Sequence, residues 1–190
     1  MLLYAVPWPP QGLYVKQPLE RGSDMQGVKF RAYNAATARL AELMGAVPTQ
    51  IEEAELTQAF ATGVAESMVS SGATGYDRKL WEHTDYWYDV QAWLPKNMVI
   101  VNRDAFEALD PEVQEAVREA AANAEERGWA EAQELADWYK EQLADNGMTV
   151  EAPGEELAAD LQEIGAQMTE EWLQRAGDLG AGVIESYEAM

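Results

Sequence analysis

One arginine stands in the middle of a predicted strand, where it could bind a negatively charged ligand. Residues 28–33 alternate apolar and polar types, which predicts a strand with Lys29, Arg31 and Tyr33 on one face. The planar guanidinium group of arginine suits a carboxylate, because it can donate two parallel hydrogen bonds to the two oxygens. A structural ion pair with one of the many acidic side chains is the alternative role for Arg31. We treat Arg31 as a candidate carboxylate-binding residue.

The sequence offers few groups for catalysis or metal binding. It contains no cysteine and a single histidine, His83, which excludes thiol nucleophiles, disulfides, paired-histidine metal sites and iron–sulfur clusters. Glu66, Glu82 and Asp85 could join His83 in an acid–base site, but no spacing places a nucleophile beside a base. We expect no enzyme activity, no metal and no cofactor. A small acidic hydrolase is the enzymatic alternative.

Acidic residues dominate the charge of the chain. There are 34 Asp and Glu against 13 Lys and Arg, for a formal net charge of −21. A surface of this kind repels phosphate backbones and anionic lipids, which argues against nucleic-acid and membrane-surface binding. Residues 1–103 carry 9 basic and 11 acidic side chains, whereas residues 104–190 carry 4 and 23. The few basic groups that an anionic ligand could use therefore lie in the first part of the chain.

The order of the predicted elements in the first hundred residues indicates an α/β fold. The predicted strands cover residues 2–6, 28–33, 47–51, 64–69 and 98–101, the predicted helices cover residues 35–44 and 52–61, and residues 7–27 are predicted as a loop. Asn34 is placed to cap the first helix and Gly45 to end it. Residues 70–75 (SSGATG) are predicted as a loop before a short helix, a candidate anion-binding turn. The continuous apolar run at 98–101 predicts a buried strand.

Two long helical patterns follow. Residues 111–146 predict one helix of about 35 residues, well above the usual length of about 11 to 12. Asp110 is placed as its N-cap and Pro111 at its first position. A short strand at 148–150 and a final helix interrupted by glycines complete the chain. No apolar run approaches the roughly 20 residues of a membrane span, and we detect no signal-peptide pattern.

Several motifs together give the sequence a family resemblance. They are residues 27–31 (GVKFR), 43–46 (LMGA), 55–64 (ELTQAFATGV), 79–82 (KLWE), 99–102 (VIVN) and 110–114 (DPEVQ). In this combination the chain resembles the solute-binding proteins of tripartite ATP-independent periplasmic (TRAP) transporters, the DctP-like family. The resemblance covers nearly all of the chain. It implies a non-enzymatic, periplasmic protein that captures an organic acid and works with the membrane subunits of a transporter.

The resemblance also implies a set of ligand-binding residues. The arginine that binds the ligand carboxylate in the family falls on Arg31, and Tyr33 and Asn34 follow it at the end of the same strand. Where the family often has an asparagine, this chain has Ser70, followed by Ser71 and Gly72, so hydroxyl or backbone N–H contacts are expected there. A second basic residue found in some members, shortly before Pro18, has no counterpart.

Two tryptophans suggest the type of acid. Trp8 and Trp93 could provide apolar walls around a ligand, although tryptophans at strand ends more often serve packing. We therefore expect a monocarboxylate with an apolar or aromatic body in preference to a small dicarboxylate.

The predicted architecture is periplasmic binding protein-like: mostly one lobe, a long spanning helix and C-terminal helices. We expect an arginine-bearing ligand lobe over residues 1–97, a strand and long helix that normally complete the other lobe over 98–146, and elements packing back on the ligand lobe over 147–190. Because family members have a preceding portion that supplies most of the first lobe, the apolar surface of residues 98–101 would then need cover, from a partner chain or a homo-oligomer. The alternative function is a truncated interaction module of the same fold that self-associates and binds no ligand.

Overall fold

The computed structural model describes residues 1–190 as two compact units. Unit 1 comprises residues 1–14 and 69–151, and unit 2 comprises residues 15–68 and 152–190. No helix of the structure combines the length and the apolar character that crossing a membrane requires. The predicted division into domains follows different boundaries and stays a prediction.

Strands and helices alternate through the first half of the chain, as predicted for an α/β fold. The strands are β1 (Leu2–Pro7), β2 (Gln11–Val15), β3 (Lys29–Ala32), β4 (Val47–Gln50), β5 (Ser67–Ser71), β6 (Tyr86–Trp93), β7 (Lys96–Ile100) and β8 (Thr149–Glu151). The α-helices are α1 (Ala35–Leu43), α2 (Leu56–Ala61), α3 (Gly72–Asp77), α4 (Arg103–Glu107), α5 (Pro111–Asp145) and α6 (Glu155–Glu188). Short 3-10 helices cover Gly22–Met25, Glu53–Glu55 and Leu80–Glu82.

Unit 2 is built around β3. This strand lies between β4 and β5 and runs parallel to both, with Arg31 opposite Thr49 on one side and Met68 on the other. A central parallel strand is covered on both faces, and Phe30, Arg31 and Ala32 are accordingly buried. The core of unit 2 is completed by side chains from its helices and from β5, namely Leu40, Ala41, Leu56, Phe60 and Met68.

The helix after β3 begins and ends where the sequence predicts. The side chain of Asn34 accepts a hydrogen bond from the Thr37 backbone N–H at 2.8 Å, which satisfies one of the free donors of the first turn of α1. Gly45 follows the helix with a φ of 78°, a conformation that costs glycine little. An ion pair of 2.7 Å joins Arg39 of α1 to Glu171 of α6. Within α6, Gly177 has a φ of 59° and breaks the helical geometry.

In unit 1, β1 and β7 form a two-stranded antiparallel sheet, separate from the strands β2, β6 and β8. Strand β6 lies beside β2 and pairs in parallel with β8. The long helix α5 packs against β1, and Gly128 permits the close approach: a Cβ atom there would lie 2.6 Å from Val6 Cγ2. The largest buried side chains of this unit are Leu13, Tyr14, Trp87, Phe106 and Leu143.

Part of the predicted loop over residues 7–27 is wrong. Residues Gln11–Val15 form β2, and all five are buried. Only Leu13, Tyr14 and Val15 of this segment are apolar, a run too short to identify from periodicity. Gly12 packs directly on the ring of Trp87, so contacts distant in sequence define this strand.

The prediction of a loop at residues 70–75 is also wrong. Strand β5 covers Ser67–Ser71, three residues later than its predicted start, and α3 begins at Gly72. Serine and glycine have weak intrinsic preferences for strand and helix. Ser71 nevertheless ends the strand and caps the helix, since its Oγ accepts from Thr74 N at 3.3 Å.

Three features around the long helix differ from the sequence-based expectation. The strand predicted as buried at 98–101 is β7, and every residue of Lys96–Ile100 is exposed. Helix α4 was not predicted. Helix α5 has the predicted extent, with Asp110 at the N-cap and Pro111 at the first position as predicted, but the side chain of Asp110 makes no capping hydrogen bond.

Replacing Gly128 by alanine tests the close packing of α5 on β1. We expect Gly128→Ala to lower the free energy of unfolding by about 1 to 3 kcal/mol, the usual cost of overpacking. Gly165→Ala in α6 is the matched control, because no atom lies within 4 Å of its Cβ position. The higher helix propensity of alanine should raise its free energy of unfolding by up to about 1 kcal/mol. Urea unfolding followed by circular dichroism measures the stability of both variants. A higher free energy of unfolding in both would contradict the close packing of Gly128 on Val6.

Candidate functional site

The Arg31 side chain is held in a fixed orientation inside unit 2. Its Nε donates a 3.0 Å hydrogen bond to the carbonyl oxygen of Ile51, the residue that follows β4. The guanidinium carbon lies 5.0 Å from the ring centroid of Tyr33, a cation–π distance. Only 5% of Arg31 is exposed. These contacts orient the guanidinium plane, and the N–H groups on its two terminal nitrogens are the pair suited to a carboxylate.

Burial and the neighbouring acidic side chains act on the charge of Arg31 in opposite directions. Burial lowers the pKa of the guanidinium below its ordinary value, while the nearby Glu53, Tyr33 and Glu52 oppose this shift. An arginine nonetheless stays charged at neutral pH. Because a buried cation has lost part of its hydration, a negatively charged group that hydrogen-bonds to it recovers that cost.

Tyr33 and Asn34 lie at the carboxyl end of β3, next to Arg31 in sequence. The ring of Tyr33 is half-buried and lies over the guanidinium. Asn34 is exposed, and its Oδ1 is used by the Thr37 backbone and hydroxyl in the cap of α1. The structure thus gives Tyr33 a positioning contact with Arg31 and gives Asn34 a structural one. A ligand contact by either residue stays a prediction.

Trp8 and Ser71, both in unit 1, are joined by a hydrogen bond. The indole Nε1 of Trp8 donates to Ser71 Oγ at 2.9 Å. Ser71 Oγ also lies 3.4 Å from the Thr74 hydroxyl. Trp8 is 39% exposed, so its ring offers an accessible apolar face while its only polar atom is occupied. No local sequence pattern indicates this pair, because 63 positions separate the two residues.

The other predicted residues of unit 1 are placed by close packing. Ser70 and Ser71 are buried at the end of β5, and the Ser70 carbonyl lies 3.5 Å from Trp87 Nε1. At Gly72, a Cβ atom would lie 2.9 Å from Tyr139 Cβ, so glycine lets α3 approach α5. Trp93 is half-buried at the last position of β6.

Tyr14 supports this serine segment and was not predicted from the sequence. Its hydroxyl donates to the Ser71 carbonyl at 2.9 Å, and the Gly75 backbone packs directly against it. Burial raises the pKa of Tyr14 well above its ordinary value of 10, partly opposed by a hydrogen bond with the Gly75 backbone. Its position in the short apolar run Leu13-Tyr14-Val15 is the only sequence signal that could have indicated it.

The predicted residues therefore fall into two sets, one in each unit. Arg31, Tyr33 and Asn34 belong to unit 2, and Trp8, Ser70, Ser71, Gly72 and Trp93 belong to unit 1. The alternative acid–base residues are divided as well, since Glu66 is in unit 2 and Glu82, His83 and Asp85 are in unit 1. The structure contains no group of three or more His, Cys, Asp or Glu side chains that could hold a metal ion.

Comparison with known proteins identifies the class of fold. A crystal structure of DctP6 from Bordetella pertussis, an extracytoplasmic solute receptor binding pyroglutamic acid, is 52% identical and superposes with a TM-score of 0.96 over 100% of this chain and 63% of that chain. A TRAP solute-binding protein from a marine metagenome, in complex with co-purified pyroglutamate, is 47% identical, with a TM-score of 0.93 over 100% and 62%. The fold is that of TRAP periplasmic binding proteins, as the sequence resemblance predicts.

The family model for bacterial extracellular solute-binding proteins of family 7, DctP, matches residues 12–175, and this chain belongs to that family. It is also 26% identical over 177 residues to the ectoine/5-hydroxyectoine-binding periplasmic protein UehA of Ruegeria pomeroyi, covering 92% of this chain and 52% of that protein. The chain spans less than two thirds of the length of each of these relatives.

Titration at high pH tests the role of Tyr14. The raised pKa means that folding favours the protonated phenol, so its contribution to stability is complete below pH 10 and falls as pH rises further. We expect Tyr14→Phe to lower the free energy of unfolding by about 1 to 3 kcal/mol at pH 8, since the Ser71 carbonyl loses its partner. Between pH 9 and 11 the stability of this variant should fall less steeply than that of the unsubstituted chain. Tyr187→Phe, at an exposed position, is the control. Urea midpoints that fall equally with pH in both variants would contradict this role.

Proposed function

We propose that this chain is the solute-capturing part of an extracytoplasmic TRAP receptor and that Arg31 binds the carboxylate of an organic acid. The observation that carries the proposal is the buried guanidinium, which the Ile51 carbonyl and the Tyr33 ring hold in one orientation. A charge-assisted hydrogen bond of this kind is worth roughly 1.5 to 3 kcal/mol. The receptor would act in the periplasm, pass its solute to membrane subunits and catalyse no reaction.

Pyroglutamate is the ligand that we propose first. The two solved relatives described above, 52% and 47% identical to this chain, bind it. Pyroglutamate has one carboxylate, in agreement with the monocarboxylate expected from the sequence, but its compact ring carries a polar amide instead of the expected apolar or aromatic body. Its ring amide would need a polar partner besides Arg31.

Ser71 and Trp8 are the residues that we propose for the body of the ligand. Ser71 Oγ accepts a hydrogen bond from the Trp8 indole N–H and lies near two Thr74 atoms. The Ser71 O–H group can donate either to the Thr74 hydroxyl or to a solute. Trp8 would present the ring face, because its N–H is already used. Ser70, Gly72, Tyr33, Asn34 and Trp93 complete the proposed contact set.

Substitution of Arg31 tests the proposed carboxylate contact. We expect Arg31→Lys to weaken pyroglutamate binding at least tenfold, because an ammonium keeps the charge but not the paired donors. Isothermal titration calorimetry of the folded variants measures the affinity. Arg31→Gln, which removes the charge as well, should weaken binding further.

Arg21→Lys is the matched control, because Arg21 lies in the same unit but has an exposed side chain paired with Glu156. It should bind pyroglutamate like the unsubstituted chain. Unchanged affinity in both Arg31 variants would remove Arg31 from the site. If the unsubstituted chain binds no acid, the interaction module that holds no ligand becomes the better description.

A panel of acids tests the proposed ligand class. We expect thermal shifts to be larger with pyroglutamate and other cyclic or branched monocarboxylates than with succinate or malate, because one buried arginine can neutralise only one carboxylate. Trp8→Phe keeps the ring face and removes the bond to Ser71, so it should reduce the shift without abolishing it. Clearly tighter binding of the dicarboxylates would overturn this part of the proposal.

A further inference from the structure

A short acidic turn, residues 52–55 (EEAE), follows β4 in unit 2. It carries three carboxylates and no basic side chain, and all four of its residues are exposed. The turn is closed by a hydrogen bond, because Glu55 N donates to Glu52 O at 3.1 Å. The residues on either side of it, Ile51 and Leu56, are buried in the core of the unit. The acidic turn is therefore an exposed segment with both ends anchored.

The acidic turn begins at the edge of the sheet where the Arg31 side chain is held. The parallel strands β3 and β4 end together, with Ala32 opposite Gln50, and Ile51 N then donates to Ala32 O at 3.1 Å. The carbonyl oxygen of the same Ile51 accepts from Arg31 Nε at 3.0 Å. The guanidinium group thus contacts the residue that immediately precedes the turn.

Glu53 is the carboxylate of the acidic turn that acts most strongly on the charge of Arg31. It stands two residues after Ile51, so the Cα atoms of Glu53 and Ile51 are at most about 8 Å apart. Burial lowers the pKa of Arg31, and the charge of Glu53 opposes this shift more than Tyr33 or Glu52 does. Chain geometry and charge therefore agree that the Glu53 carboxylate lies near the guanidinium group.

A guanidinium group near a carboxylate suits a solute that offers both complementary groups. The guanidinium donates hydrogen bonds to a carboxylate, whereas an ionised glutamate only accepts hydrogen bonds. In pyroglutamate, the ring N–H is attached to the carbon atom that carries the carboxylate. Such a solute presents an acceptor and a donor side by side, in the order that Arg31 and Glu53 could bind.

We propose that Glu53 accepts a hydrogen bond from the ring N–H of the solute whose carboxylate Arg31 binds. The acidic turn then selects acids that carry an N–H donor next to their carboxylate, and this inference rests on the proposed function of Arg31. An ionised carboxylate has about four lone-pair positions, so Glu53 can keep contacts within the protein while it accepts this N–H. Its charge also repels a second carboxylate on the solute.

Two solutes of the same shape test this contact. Pyroglutamate and its lactone analogue of the same configuration differ at one ring position, where an oxygen atom replaces the N–H. Isothermal titration calorimetry gives the ratio of their two dissociation constants, the N–H preference. We expect the unsubstituted chain to bind pyroglutamate at least tenfold more tightly, because a site that hydrogen-bonds a donor rejects the analogue that lacks it.

Substitutions in the acidic turn identify the residue responsible. Glu53→Gln should reduce the N–H preference at least threefold, because the amide keeps the size of the side chain but can also donate to the lactone oxygen. Glu53→Asp keeps the charge, withdraws the carboxylate by one methylene group and should reduce the preference as well. Glu55→Gln is the matched control, since it removes the same charge from the same turn, and it should leave the preference unchanged. Circular dichroism checks that each variant is folded.

Two results would overturn this inference and leave the proposed function standing. One is equal affinity of the unsubstituted chain for pyroglutamate and the lactone. The other is an unchanged N–H preference in Glu53→Gln, with both affinities altered by the same factor or not at all, which would limit Glu53 to an effect on the charge of Arg31. If the unsubstituted chain binds neither solute, the proposed function itself fails and this inference fails with it.

Discussion

The buried cation of unit 2 is the constraint around which that unit is organised. Placing Arg31 in the central strand of a parallel group removes its guanidinium from water, which is costly without compensating contacts. The Ile51 carbonyl and the Tyr33 ring supply two of those contacts. Parallel pairing of β3 with β4 brings Ile51 to the guanidinium, since Ala32 lies opposite Gln50 at the end of that pair. The sheet therefore fixes the position of the guanidinium group to which we propose that an anionic solute binds.

In unit 1, glycines position the segment around Ser71 through close packing, although they have no polar side chains themselves. Gly12, Gly72 and Gly75 each let an aromatic ring or helix approach the backbone closely. Tyr14 then holds the Ser71 carbonyl, and Trp8 holds the Ser71 hydroxyl. Closely packed glycines and these hydrogen bonds hold the Ser71 backbone and hydroxyl in one position.

The same helix α5 serves two purposes in unit 1. Its side chains close one edge of the β1–β7 sheet, and its close packing on Val6 fixes the position of β1. The strongly acidic character of the chain is compatible with this arrangement because most of the helix is exposed. What remains open is the β7 edge, where acidic residues are absent.

The sequence by itself determined the local features. Alternation defined β3, Asn34 and Gly45 defined the ends of α1, and Pro111 defined the start of α5, because strand periodicity and helix termini depend on neighbours in the chain. It also identified the family and Arg31 as a candidate. Only the tertiary structure decided that Ile51 orients this arginine, that residues 11–15 form a buried strand and that β7 is exposed. Those outcomes depend on contacts between residues far apart in sequence, which no local pattern encodes.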